Sequence, residues 1–319
     1  MSSIASNAST SAPASSVLAG WSRLPAEYAI PEHAPTLAEA QEYCRRLART
    51  HYENFSVATW FLPWRLRQHF CNVYAYCRIS DDLGDEVGDP RQSLALLDAW
   101  EEELNACYAG KPRHPVFVAL TPTIEECRIP RAPFADLLTA FRQDQTVTRY
   151  PTFNDLLGYC INSANPVGRL VLYACGYSDS ERQQLSDSTC TALQLANFWQ
   201  DVVVDYGKGR IYLPVEDLKT YGVGEADIAE RQFGPQFREL MRFEVARARD
   251  WFERGRPLIG MVDRQLAIDI ELFSRGGEQI LNSIERQDYN VLRARPVISK
   301  PRKFALVAGA ALKFARSRL

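Results

Sequence analysis

The sequence lacks the features that would place it in a membrane or on a nucleic acid. In 319 residues, no stretch approaches the roughly 18 to 20 apolar residues that a membrane-spanning helix needs. The formal net charge of −2 gives no argument for nucleic-acid binding. No Gly-rich loop of the GxGxxG or P-loop kind occurs, so neither a nucleotide nor a nicotinamide cofactor is expected. Apolar residues make up 46% and charged residues 24%, which is typical of a globular protein with a substantial core.

Residue clusters of the kind that hold zinc are also missing. The eight cysteines are scattered, include no CxxC pair and mostly lie within apolar helical patterns. This arrangement favours reduced, buried thiols in a cytoplasmic protein. The four histidines are too dispersed in sequence to suggest a cluster. We therefore do not expect a zinc site.

Signals for β-strands are nearly absent, and helical periodicity takes their place. No NG or DG hairpin stands between alternating runs, and no repeat period is visible. We expect an all-α chain, with residues 1–24 a disordered Ser- and Ala-rich tail and residues 25–319 a single domain. Thr36 and Glu39 predict a capping box for a first helix that runs towards His51. Further helices are predicted from about residue 65 to 84 and at 91–108, 115–127, 133–145, 153–175, 186–206, 236–254, 257–285 and 300–317, with a loop at 207–235.

The stretch QLANFWQDVVVDYGKGRIYLP, residues 194–214, carries the clearest chemical pattern. Asn197, Asp201 and Asp205 recur at i, i+4 and i+8, which places them on one face of a helix. An exposed acidic stripe is the alternative, but it would usually have Lys or Glu beside the carboxylates, whereas here residues 202–204 are all Val. Carboxylates in an apolar setting are costly unless a cation joins them.

A second acidic stretch, YAYCRISDDLGDE at residues 74–86, repeats the same spacing. Asp81 and Asp85 are one turn apart, Arg78 comes one turn earlier, and Asp82 and Glu86 form a shifted pair. Two helices that present spaced carboxylates across a cavity can hold Mg²⁺, which prefers oxygen ligands, keeps several waters and commonly binds substrate phosphates. The sequence therefore predicts a metal–diphosphate site in a helical cavity.

Other residues near these motifs admit two interpretations. Aromatic ring faces can stabilise a cation, while core packing is the alternative for each ring taken singly. Arg210 is either a phosphate contact or an exposed loop arginine. The Gly and Pro residues within YCINSANPVGRL indicate either a kinked helix or a backbone break that lines a cavity. The aromatic residues concerned are Phe55, Trp60, Tyr74, Tyr159, Phe198 and Tyr212.

Taken together, the two acidic stretches resemble the squalene/phytoene synthase family over residues 40–300. The resemblance implies an all-α isoprenoid synthase fold with a central cavity, in which Mg²⁺ ions bound by two acidic motifs hold prenyl diphosphates. By motif match, the metal-binding residues are Asp81, Asp85, Asn197, Asp201 and Asp205, and the catalytic set is Tyr159 with the four aspartates. The implied substrate contacts are His51, Tyr52, Asn54, Tyr74, Arg78, Gln194, Gln200, Arg210 and Tyr212.

Departures from the family pattern resemble its bacterial hydroxysqualene synthase branch. Val204 stands where an acid is usual, Gln200 where a basic residue is common, and Gly277 at a tyrosine position. The segments SANPVG, ENF near His51 and RQDQTVTRY at 142–150 point the same way. That branch converts presqualene diphosphate and water to hydroxysqualene and diphosphate in a route linked to hopanoids. The alternatives are a sister enzyme that condenses two farnesyl diphosphates and a non-catalytic helical protein.

The C-terminal segment is basic and contains an apolar run. No acid follows Asp288, while eight Lys and Arg residues accumulate around the apolar run 304–312. A closing helix with a solvated basic face is one interpretation. Reversible attachment to the anionic inner membrane, which would ease delivery of an apolar product, is the other.

Overall fold

The computed structural model describes residues 21, 22, 24–50 and 63–299, together with residues 305, 306, 308 and 309. Within these ranges the chain forms helices and no strand, apart from an isolated bridge between Arg149 and Ile211. The predicted all-α class is confirmed. The α-helices are α1 (Leu37–Thr50), α2 (Arg67–Asp85), α3 (Pro90–Tyr108), α4 (Pro115–Cys127), α5 (Ala132–Gln143), α6 (Phe153–Ser163), α7 (Asn165–Ala174), α8 (Ser180–Gly207), α9 (Val215–Thr220), α10 (Glu225–Ala229), α11 (Pro235–Gly255) and α12 (Arg264–Arg286).

Side-chain caps set where several of these helices begin. The predicted capping box of α1 is confirmed, because the Thr36 amide donates to Glu39 Oε2 at 2.9 Å and the Glu39 amide donates to Thr36 Oγ1 at 3.4 Å. Asp179 accepts a hydrogen bond from the Arg182 amide. This cap starts α8 at Ser180, six residues before the predicted position.

The chain departs from the predicted helices in three further places. The pattern at 153–175 is two helices, with the break at Ala164 and with Pro166 in the first turn of α7, where a missing N–H costs nothing. The predicted loop at 207–235 contains α9 and α10. The helix predicted from residue 257 begins at Arg264, because residues 256–260 form a 3₁₀ turn and Asp263 caps the helix. Most of the predicted helix 300–317 lies outside the described residues.

Two apolar clusters hold the helices together. One surrounds Trp100 and is built mainly from α1 to α5, while the other surrounds Trp199 on α8 and includes residues of α6 and α11. Both tryptophans have no exposed surface. Burying such large rings is a main source of stability for a helical chain.

Close contacts at two glycines bring α7 and α12 against α8. A Cβ at Gly168 would overlap Ser186 Oγ and Cys190 Sγ, both on α8. A Cβ at Gly277 would lie 2.9 Å from Leu193 Cδ2 and would also overlap the Phe252 ring. Only glycine allows these backbone approaches without displacing a neighbour.

The eight cysteines are all free thiols. Burial raises the pKa of several of them, for example that of Cys190 to about 12. No helix in the described part of the chain is long and apolar enough to cross a membrane.

Candidate active site

The first acidic motif lies on the last turns of α2. Arg78 Nε donates to Asp82 Oδ2 at 3.1 Å, and the Tyr28 hydroxyl donates to the same oxygen at 2.8 Å. Asp82 is buried, and Arg78 Nη1 lies 3.6 Å from Asp81 Oδ2. Asp82 therefore fixes the guanidinium of Arg78 beside Asp81. Glu86, four residues after Asp82, is exposed.

The second motif occupies three successive turns of α8. Asn197 Nδ2 donates to Asp201 Oδ2 at 3.0 Å, and Asp205 follows one turn later. Arg295, 94 residues further along the chain, donates from Nη2 to Asp201 Oδ2 at 2.9 Å and from Nε to Asp201 Oδ1. The amide of Gln200 donates to the Pro296 carbonyl. The second motif is thus covered by the segment that follows α12.

Two cations join the motifs to each other. Lys208 Nζ lies 3.2 Å from Asp85 Oδ2, and Arg210 donates from both Nη atoms to Asp85 Oδ1 at 3.2 Å. Arg210 Nη2 also donates to the Asp144 carbonyl at 3.3 Å. Lys208 and Arg210 follow α8 directly, so the carboxyl ends of α2 and α8 meet at this point. Arg210 is therefore mostly buried in the site, and the alternative of an exposed loop arginine is wrong.

Negative charge is concentrated where the two motifs meet. Burial and repulsion from Asp85 raise the pKa of Asp81 to about 6. Burial and then repulsion from Asp201, with a smaller contribution from Asp85, raise the pKa of Asp205 to about 7. Such shifts are expected where carboxylates face one another with too few cations.

This donor set fits Mg²⁺ that also binds a diphosphate. Carboxylate and amide oxygens on two helices are hard ligands, and their repulsion is of the kind that a divalent cation relieves. Over the described ranges, no three His, Cys, Asp or Glu side chains converge on one point. Water and substrate oxygens would therefore have to supply the remaining ligands, as is usual for Mg²⁺.

Stacked aromatic rings pack in the buried core beside the site. The rings of Phe198 and Tyr212 are 3.8 Å apart between centroids and nearly parallel, and Tyr159 packs beside both. The Tyr159 hydroxyl donates to Asp144 Oδ2 at 2.8 Å. Burial raises the pKa of Asp144 to about 6, and Asp144 Oδ1 has no hydrogen-bond partner among the described residues. Asp144 was not predicted as a site residue, although it lies in the RQDQTVTRY segment that contributed to the resemblance.

An apolar cavity of about 320 Å³ lies between α2, α7, α8 and α12, and its lining on α2 and α8 stops just short of the two acidic motifs. Tyr74 lines it one turn before Arg78, and Leu193 lines it one turn before Asn197. Asp269 of α12 also lines it; the side chain is buried, and neither carboxylate oxygen has a partner within the described chain. Burial raises the pKa of Asp269 to about 8. The lining is mostly apolar, which suits a hydrocarbon chain, and we call the end next to the two motifs the acidic end.

The structure brings most of the predicted site residues together. Tyr74 lines the cavity, and Gln194 is half-buried on α8 one turn before Asn197. Sequence reasoning missed Lys208, although it lies inside the quoted stretch, and it missed Arg295, for which spacing gives no signal. Of the residues singled out in the sequence, His51, Tyr52, Asn54, Phe55 and Trp60 lie outside the described ranges.

Comparison with known proteins assigns the chain to a family. Residues 48–302 match the family described as squalene/phytoene synthase, and the chain belongs to this family. Its members are enzymes that process prenyl diphosphates, and the all-α fold of this chain is their isoprenoid synthase fold.

Individual relatives include a squalene synthase on one side and dehydrosqualene and phytoene synthases on the other. The squalene synthase HpnC from Alicyclobacillus acidocaldarius has 47% sequence identity and a TM-score of 0.77, with 85% of this chain and 99% of that one covered. A dehydrosqualene synthase structure has 27% identity and a TM-score of 0.79, over 88% of this chain and 98% of that one. Phytoene synthase from Arthrospira platensis is 30% identical, over 87% of this chain and 94% of the relative. The 15-cis-phytoene synthase from Synechococcus elongatus is 31% identical, over 87% and 94% of the two chains.

Proposed function

We propose that this protein is a hydroxysqualene synthase, which converts presqualene diphosphate and water to hydroxysqualene and diphosphate with Mg²⁺. The observation that carries the proposal is the difference in identity between relatives. Identity is 47% with the squalene synthase HpnC, against 27 to 31% with the dehydrosqualene and phytoene synthases. The substitutions Gln200 and Val204 in the second acidic motif support the same assignment.

The acidic end of the cavity is suited to the leaving group. Mg²⁺ would be held by Asp81, Asp85, Asn197, Asp201 and Asp205, where it would act as a Lewis acid on diphosphate oxygens.

Cations of the chain complete this part of the site. Arg78, Lys208 and Arg210 lie beside the first acidic motif and can donate hydrogen bonds to the same diphosphate. Together these charges favour departure of the diphosphate, because they stabilise the negative charge that develops as the carbon–oxygen bond breaks.

The remainder of the cavity protects the cation that is left. Its apolar lining excludes bulk water, so that rearrangement of the cyclopropylcarbinyl cation can precede capture. The aromatic side chains that line the cavity, Phe70, Tyr74 and Phe273, can stabilise positive charge there. A single water then adds to carbon and loses a proton, which the diphosphate can accept. Capture by water needs no hydride donor.

A condensing enzyme that joins two farnesyl diphosphates is the second candidate. The identity of 30 to 31% with phytoene synthases over most of both chains favours it. Such an enzyme must hold and ionise two allylic diphosphates in order. Among the described residues of this site, two cations, Lys208 and Arg210, lie beside Asp85, and a single cation, Arg295, lies on Asp201.

Supplying each substrate separately distinguishes the two candidates. Purified protein with Mg²⁺ is incubated with presqualene diphosphate or with farnesyl diphosphate, each with and without NADPH, and products are identified by mass spectrometry. We expect hydroxysqualene from presqualene diphosphate, no effect of NADPH and little product from farnesyl diphosphate. Efficient presqualene diphosphate formation from farnesyl diphosphate would support the condensing enzyme. Squalene formed only with NADPH would exclude capture by water.

A further inference from the structure

The segment that follows α12 lies across the second acidic motif. Val291 and Leu292 are buried in the apolar cluster around α8, which anchors the beginning of this segment. The Gln200 amide holds the Pro296 carbonyl, and the Ser283 hydroxyl donates to the Val297 carbonyl at 3.3 Å. We call residues 291–299 the strap. Its backbone is therefore fixed on both sides of Arg295.

Arg295 is the strap residue that reaches the carboxylates. Its guanidinium donates to both oxygens of Asp201, and Nη2 also lies 3.4 Å from Gln200 Oε1. The side chain of Asp201 is 11% exposed, whereas that of Arg295 is 50% exposed. Because half of the Arg295 side chain is in solvent, its guanidinium can move to a ligand when a metal ion compensates the charge of Asp201, while the buried carboxylate stays in place.

This ion pair competes with a metal ion for Asp201. Asn197 and Arg295 share Oδ2, and Arg295 also occupies Oδ1. When a cation takes the carboxylate, the displaced guanidinium remains beside the site because the strap holds its backbone. A planar guanidinium suits the oxygens of a phosphate group, to which it can donate two hydrogen bonds.

We propose that Arg295 is a diphosphate-binding residue that occupies Asp201 when no metal is bound and moves to the diphosphate when Mg²⁺ takes the carboxylate. Arg295 thereby supplies the positive charge that a basic residue at position 200 provides in the common family pattern. Here that position is Gln200, whose amide holds the strap instead. The inference rests on the proposed function only in taking a diphosphate as the ligand.

Binding of Mg²⁺ alone and of inorganic pyrophosphate in the presence of Mg²⁺ tests this role without the prenyl substrate. Isothermal titration calorimetry compares the full-length wild type with Arg295→Gln, with the double variant Gln200→Arg plus Arg295→Gln, and with the control Arg293→Gln. Arg293 is an exposed strap residue of the same type. Circular dichroism melting checks that every variant is folded.

The affinity for Mg²⁺ alone and the affinity for pyrophosphate with Mg²⁺ should change in opposite directions in Arg295→Gln. Arg295→Gln should bind Mg²⁺ alone about threefold more tightly, because a competing cation is gone. The same variant should bind pyrophosphate with Mg²⁺ about tenfold more weakly, because a charge-assisted contact is lost. The double variant Gln200→Arg plus Arg295→Gln should regain pyrophosphate binding, and Arg293→Gln should match the wild type.

Other results would overturn the role of Arg295. Unchanged pyrophosphate binding by Arg295→Gln would remove the diphosphate contact. Weaker binding of both ligands would mean that Arg295 only arranges Asp201, and failure of the double variant would remove the charge replacement. A wild type that binds no pyrophosphate with Mg²⁺ would instead contradict the proposed function itself.

Discussion

The carboxylates next to the acidic end of the cavity and the one at its apolar end have opposite surroundings. At the acidic end, Asp201 is held by Arg295 and Asn197, and Asp85 by Lys208 and Arg210. At the apolar end, Asp269 has no hydrogen-bond partner in the described part of the protein.

The difference lies in what compensates the negative charge of each carboxyl group. Asp85 and Asp201 each lie against cationic side chains, Lys208 and Arg210 at Asp85 and Arg295 at Asp201. The pKa of Asp269 is raised to about 8 by burial and by the nearby charge of Asp263, so this group is protonated at neutral pH. The cavity thus combines an anionic end for a metal and diphosphate with an uncharged end for hydrocarbon.

Removing a carboxylate at the acidic end should have the largest effect. Asp81→Asn or Asp201→Asn should lower turnover of presqualene diphosphate by at least about a hundredfold, because each removes a metal ligand and part of the electrostatic stabilisation. The helical circular dichroism signal should stay near that of the wild type, because asparagine keeps the size of the side chain and Asp81 and Asp201 each face a repelling carboxylate, Asp85 and Asp205 respectively. The measurement is kcat with Mg²⁺ beside the spectrum, and full activity in either variant would contradict the two-motif site.

The two cations on Asp85 should contribute unequally. Arg210→Gln should reduce kcat/KM by about tenfold or more, because Arg210 is largely buried and also donates to the Asp144 carbonyl. Lys208→Gln should cost about threefold or less, because 55% of the Lys208 side chain is exposed. Each variant serves as the control for the other in steady-state assays. A larger loss at Lys208 than at Arg210 would contradict the assigned diphosphate contact.

At the apolar end, Asp269 should make stability depend on pH. Its pKa is about 8 in the folded protein, against an ordinary value of about 4 in the unfolded chain. Between these values the folded state binds the additional proton, so stability is fully present below about pH 4 and falls as pH rises through 8. From pH 5 to 8.5 the wild type should lose on the order of 2 to 4 kcal/mol from this group.

Urea unfolding of wild type and Asp269→Asn at both pH values measures this term. Asparagine keeps the size of the side chain but cannot ionise, so the variant should lose less stability over the interval. Cys175 lies close enough to interact with Asp269, and burial raises the pKa of that thiol to about 12, outside the interval. Asp250→Asn, which changes an exposed carboxylate, is the matched control. An equal pH dependence in wild type and Asp269→Asn would show that Asp269 is not protonated in the folded protein.

The smallest effect concerns the basic C-terminal segment, which lies largely outside the described residues. If this segment attaches to membranes, the charge reversal Lys300→Glu, Arg302→Glu and Lys303→Glu should reduce sedimentation with anionic vesicles at low salt. Each basic residue near such a surface contributes about 1 kcal/mol, and salt screens the interaction. Equal and negligible binding by both proteins would leave the segment as a closing helix with a solvated face.

The sequence was sufficient for the parts of the site that depend on local spacing. Asp81 and Asp85 lie one turn apart on α2, and Asn197, Asp201 and Asp205 lie on successive turns of α8, as the i, i+4 pattern predicts. Periodicity was enough to predict that these segments are helical. The start of α8 and the two short helices after it depended on caps and tertiary contacts.

The partners of the carboxylates could not be predicted in the same way. Lys208 and Asp85 are 123 residues apart in sequence, and Arg295 and Asp201 are 94 apart. Such pairs form only once helices pack, so spacing gives no signal for them. Asp269 was overlooked because an acid in an amphipathic helix usually faces solvent, and the packing of α12 places it in a cavity instead.

Capture of the cation by water is the central claim, and heavy-oxygen labelling tests it directly. Wild-type protein, Mg²⁺ and presqualene diphosphate are incubated in water enriched in heavy oxygen, and the C30 product is analysed by mass spectrometry. We expect hydroxysqualene whose hydroxyl carries the heavy isotope at the enrichment of the solvent. A hydrocarbon product without oxygen, or an alcohol without the label, would contradict the account.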